Sequence, residues 1–77
     1  MNKDRRNRLA KIQNIIEGLI AEVEEIHGEE EEAYENLPES LQETERGESM
    51  ERAIDKLEDL QQNLEEAAET INEITEA

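Results

Sequence analysis

The sequence contains no cysteine, no tryptophan and no phenylalanine, with a single tyrosine and a single proline among 77 residues. Without cysteine there is neither a disulfide framework nor a thiolate metal site, which fits a reducing compartment. One aromatic side chain rules out a core built on rings. No apolar run approaches the roughly 18 residues that a membrane span needs. The basic N-terminus lacks the uninterrupted apolar stretch of a signal peptide. These gaps lead us to expect a soluble, cytoplasmic protein.

Charge of one sign is also nearly missing beyond the first turns. In residues 1–11 five basic side chains (Lys3, Arg5, Arg6, Arg8, Lys11) face one acid, Asp4, giving net +4. The other 66 residues hold 22 acids against Arg46, Arg52 and Lys56, giving net −19. Such a body repels nucleic acid and anionic membrane and is drawn to basic protein surfaces.

What is present is a period. Leu9, Ile12, Ile16, Leu19, Val23, Ile26 and Ala33 alternate spacings of three and four, with a gap at Glu30. Met50, Ala53, Leu57, Leu60, Leu64, Ala67, Ile71 and Ile74 do the same. This alternation marks helices packed along a narrow seam, with Leu9 and Met50 opening the a positions of an a/d heptad. The predicted fold is all-α: an antiparallel coiled-coil helical hairpin in one domain. Helix 1 covers about residues 3–35, the connector 36–43 and helix 2 about 44–75. One register pairs Leu9 with Ile74, Ile12 with Ile71, Val23 with Leu60 and Ile26 with Leu57.

Asn2 or Asp4 can cap helix 1, and Pro38 forbids its continuation. Gly18 and Gly28 lie within it, and Gly28 followed by four glutamates predicts a bend or frayed turn. Ser40 to Glu43 reads as a capping box, with Thr44 an equally good cap one turn later and the favoured start. Leu37 and Leu41 are expected to fold back over the end of the seam.

The flanking positions add a second layer. Ile20, His27, Tyr34, Ile54 and Ala68 fall at e and predict an apolar flank. Glu22, Glu29, Lys56, Asn63 and Thr70 fall at g and predict a wet one, with Glu29 pairing Lys56. A two-helix hairpin covers each seam from one side only, so the apolar flank predicts docking of a second hairpin, as a homodimeric four-helix bundle, or of a foreign protein.

Catalytic and metal chemistry find no footing. His27 has Glu24, Glu30 and Glu31 within helical reach, yet one imidazole and exposed carboxylates make no recognisable metal site. The Glu29, Glu30, Glu31, Glu32 run lacks the spacing of a calcium loop. There is no phosphate loop, activated nucleophile or walled pocket to split carboxylate pKa values. The sequence predicts a non-enzyme without cofactor or metal. Helix 2 spans about 45–50 Å, so net −19 is about one charge per 2.5 Å, near the roughly 1.7 Å of duplex DNA. That permits imitation of DNA before a basic cleft. Tyr34 suits either a partner anchor or a lid over Leu37 and Ile54. The basic N-terminus is read as pairing with Glu69, Glu73 and Glu76, with direct nucleic-acid contact the weaker option.

The segment AYENLPESLQETERGESMERAIDKLEDL, residues 33–60, resembles small acidic two-helix proteins encoded by phages, prophages and mobile elements of Firmicutes. Its distinctive parts are Asn36 to Gln42 and Glu45 to Gly47. The resemblance implies a bacterial-host setting in which small proteins bind and inhibit host enzymes, nucleic-acid-directed defences among them. It also implies that Leu37, Leu41 and Arg46 do more than join helices. The functional expectation is an acidic protein-binding module of inhibitory type, against a purely structural oligomerisation module. Its contacts would be Ile20, His27, Tyr34, Leu37, Leu41, Arg46, Ile54 and the four glutamates 29–32.

Overall fold

In a computed structural model, which describes residues 1–76, the chain is all-helical, with α1 at Lys3–Glu35, α2 at Glu39–Gln42 and α3 at Glu45–Glu76. α1 packs along α3 in the opposite direction, as a rod with extents of 58 × 15 × 13 Å. The expected helical hairpin is therefore present, and no strand occurs among the described residues.

Local chemistry sets the ends. The Asn2 side-chain oxygen accepts from the Arg5 N–H at 2.9 Å, and Asp4 stands in the first turn, where negative charge suits the helix dipole. At the far end of the rod the Arg6 guanidinium donates to the Thr75 carbonyl. A cation there complements the negative end of α3. So the basic segment does lie beside the end of α3, and Arg8 contacts Asp4 at 3.6 Å. α1 runs unbroken through Gly28, so the expected frayed turn is not formed. Nothing lies within 4 Å of where a Cβ would stand at Gly18 or Gly28, and a 33-residue helix held by α3 on both sides carries each glycine's cost of about 1 kcal/mol.

The connector is more tightly built than its sequence suggests. Ser40 lies inside α2, so the expected capping box is not formed. Thr44 precedes α3 and its carbonyl accepts from the Glu48 N–H at 3.0 Å, while its hydroxyl turns back to the Leu41 carbonyl. The Gln42 carboxamide donates to the carbonyls of Tyr34 and Leu37, both at 3.1 Å. One side chain thereby satisfies two carbonyls at the C-terminal end of α1. Leu37 folds in and is half-buried, whereas Leu41 stays exposed.

The seam itself is rotated from the expected one. The inward residues of α1 are Leu9, Gln13, Ile16, Ile20, Val23, His27, Glu30 and Tyr34, and those of α3 include Gly47, Met50, Ile54, Leu57, Gln61, Leu64, Ala68 and Ile71. These are a and e positions, not a and d. Ile12, Leu19 and Ile26 are each 46% exposed and Leu60 43%. The register moves with the rotation. Four cross-helix side-chain bonds share one offset, joining Gln13 to Asn72, Glu24 to Gln61, His27 to Glu58 and Tyr34 to Glu51. Ile12 opposite Ile71 is thus corrected. The physical reason is the width of the apolar stripe. It occupies a, d and e, about 3/7 of each helix, and one neighbouring helix covers only part of that. Closing on a and e satisfies the polar e residues across the interface and leaves every d residue of the seam except Ala67 exposed.

Candidate interaction faces

Around a helix the positions run in the order d, a, e, b, and in an antiparallel pair like letters meet on the same side of the hairpin. A seam on a and e therefore gives the rod two unlike long faces, one from b and one from d.

The b face is a polar ladder. Gln13 Nε2 donates to Asn72 Oδ1 at 2.6 Å. Gln61 Nε2 donates to Glu24 at 3.0 Å and sits 3.5 Å from Glu65. His27 Nδ1 stands 2.8 Å from Glu31 and its Nε2 3.2 Å from Glu58. Both contacts are satisfied together when both ring nitrogens carry protons. The Tyr34 hydroxyl donates to the Glu51 carboxylate. Every rung joins an inward e residue to an outward b residue. The face bears Glu17, Glu24 and Glu31 on α1 with Glu51, Glu58 and Glu65 on α3.

Tyr34 reports on this face. Its hydrogen bond to Glu51, then desolvation and the charges of Glu51 and Glu43, hold its pKa above the ordinary 10.0. The folded chain thus keeps the phenol proton to higher pH than the unfolded chain does. That contribution to stability is present below pH 10 and is lost as pH rises through the folded pKa. Because Tyr34 is the only tyrosine, tyrosinate absorbance reads it alone. We expect a midpoint above 10.0 that returns toward 10.0 in Glu51→Gln; equal midpoints in the two proteins would remove the bond from the account.

The d face is apolar. Ile12, Leu19 and Ile26 of α1 run beside Leu60 and Ile74 of α3, with Ile15 63% exposed at the edge. At the open end of the rod Met1, Arg5, Arg8, Leu9 and Ile12 line a shallow groove. At the connector end a hollow is lined by Tyr34, Glu39, Gln42, Glu43, Glu48 and Glu51.

The sequence-derived contact residues divide between these settings. Ile20, Tyr34 and Ile54 stand half-buried in the seam, not on an open flank, and His27 stands there with them, tied to Glu31 and Glu58. Glu30 is half-buried at an a position, while Glu29, Glu31 and Glu32 are exposed. Leu41 and Arg46 are exposed at the connector and Leu37 is half-buried. Lys56 contacts Asp59 at 3.8 Å instead of the expected Glu29, because rotating the seam moves the g positions of the two helices apart. Gln13 and Gln61 have no role in the sequence analysis, although two glutamines at e positions of a seam are a readable sign of cross-helix bonding.

Among the described residues no group of three or more His, Asp or Glu is placed to hold a metal ion, and no helix is long and apolar enough to cross a membrane. Rod, ladder and stripe together define the class: a coiled-coil-like helical hairpin with one acidic and one apolar long face. No family model, no curated protein and no solved structure matches the chain.

Proposed function

We propose that the chain is a small acidic protein-binding module that docks on a basic protein surface through its b face. In the phage setting that the connector's resemblance implies, it acts as an inhibitor of a host or defence protein. The observation that supports this most is the pair of heptad-spaced rows, three glutamates in each, along one face of a rod 58 Å long. The rows are presented by helices cross-linked through His27, Gln61 and Tyr34, so the carboxylates are held in place instead of swinging freely. Held charges steer a partner and fix its orientation better than a flexible acidic tail does.

Imitation of duplex DNA is the more specific form of this reading. Net −15 spread over 58 Å is one charge per about 4 Å, a lower density than the roughly 1.7 Å per charge of DNA. The module therefore suits a basic groove that tolerates a sparser ligand.

The test is an affinity capture from bacterial lysate at about 0.05 M and about 0.5 M salt, with and without duplex DNA. A variant with Glu17, Glu24, Glu31, Glu51, Glu58 and Glu65 all changed to Gln runs beside it. A partner retained at low salt, released at high salt and lost in the variant supports the reading, and release by DNA supports the mimic. The same retained proteins for both chains at both salts would overturn it. The second reading, a structural oligomerisation module, is favoured by the uncovered d face.

A further inference from the structure

Two features of the rod remain unused by an acidic-face reading. Among the described residues only Val23, 8% exposed, and Ile71, 7%, are buried apolar side chains. Meanwhile five large aliphatic residues form a line along the opposite face at 38–46% exposure. Helices that carry apolar residues at a, d and e are those that contact two neighbours, as in a bundle. Each helix of the hairpin has one neighbour, reached through a and e.

We propose that two copies of the hairpin pair through the d face, side by side and in opposite directions, as a four-helix bundle. The line of Ile12, Leu19, Ile26, Leu60 and Ile74 becomes its second seam.

Shape, charge and direction each bear on the choice of occupant. Five aliphatic side chains run from Ile12 to Ile26 and from Leu60 to Ile74 on this side of a rod 58 Å long, the elongated apolar core that a helix-bundle interface needs. The d face also escapes the acid excess of the rest of the body. No acid occupies a d position, and the neighbouring Glu22 and Glu29 are matched by Arg8 and Lys56. Two copies of a chain with net charge −15 therefore meet with least repulsion on this side. Direction follows from the charge gradient along α1, basic at Arg5–Lys11 and acidic at Glu29–Glu32. A two-fold axis near Leu19 sets the basic stretch of one copy beside the acidic stretch of the other. Pairing in the same direction brings like ends together. Both b faces stay on the outside of the bundle, so this pairing holds or fails independently of what the acids bind.

The experiment combines mass with cross-linking. Sedimentation equilibrium at about 10–100 μM is expected to give twice 8.9 kDa for the natural chain. For Leu19→Glu with Leu60→Glu it is expected to give 8.9 kDa, with or without loss of helicity. A mass of 8.9 kDa for the natural chain throughout overturns the pairing and leaves the face to a foreign helix. An undiminished mass for the doubly substituted chain moves the interface elsewhere and also overturns it. The chain has no cysteine of its own, so single-cysteine variants report direction with the d face unaltered. A mixture of Arg8→Cys and Glu29→Cys chains is expected to form the mixed disulfide, with little self-linking of either. Self-linking of each with no mixed product overturns the opposed arrangement.

Discussion

Ile71→Ala is expected to lower the melting temperature of the hairpin by roughly 10–20 °C, the largest effect of any single truncation. Ile71 and Val23 are the only apolar side chains below a tenth exposed among the described residues. Removing buried Ile methyl groups costs about 2–4 kcal/mol through lost transfer and the cavity left behind. Domains of this size hold only about 5–15 kcal/mol in all. Ile15→Ala is the control. At 63% exposure it is expected to cost below about 1 kcal/mol. Thermal melts followed by circular dichroism decide the matter. If the two variants melt together, the side chain at 71 does not sit in the seam.

Gly47→Ala is expected to destabilise the chain by about 2–3 kcal/mol, although alanine is the better helix former by about 1 kcal/mol. A Cβ at Gly47 would stand 2.0 Å from the Gln42 carbonyl oxygen and 2.6 Å from its Cα. Those atoms are backbone and cannot swing aside. Either α2 lifts from α3 or the first turn of α3 unwinds. In both cases the Gln42 carboxamide leaves the carbonyls of Tyr34 and Leu37 that it now serves. The same exchange at Gly28 meets open space and is expected to raise stability. Gly47→Ala melting at or above the natural chain would show that the close approach of α2 to α3 is not maintained in solution.

Much of the fold was legible because the apolar spacing is regular and Pro38 leaves one place for the reversal. Rotation about the helix axes was not. A stripe over a, d and e admits closure on either a/d or a/e, and the apolar residues alone favour a/d, since they include Leu19, Ile26 and Leu60. The polar residues carry the other half of the answer. Gln13, His27, Tyr34 and Gln61 find partners only when e faces inward. An apolar tally gives such bonds no weight. The acidic character of the surface was plain from composition, but the near absence of acids beside the exposed d residues follows from the same rotation. Gly47 stood inside the distinctive ERG triplet, yet its contact is with α2, a four-residue helix too short to show a period.

The contact of Arg6 with the Thr75 carbonyl fixes the geometry of attachment. The start of α1 and the end of α3 lie at one pole, and the connector forms the other, at the far end of the 58 Å rod. Anything joined to either end is therefore carried on a stalk, with the connector presented as its tip. In the opposed pairing proposed above, the connector of each hairpin would lie beside the open end of the other.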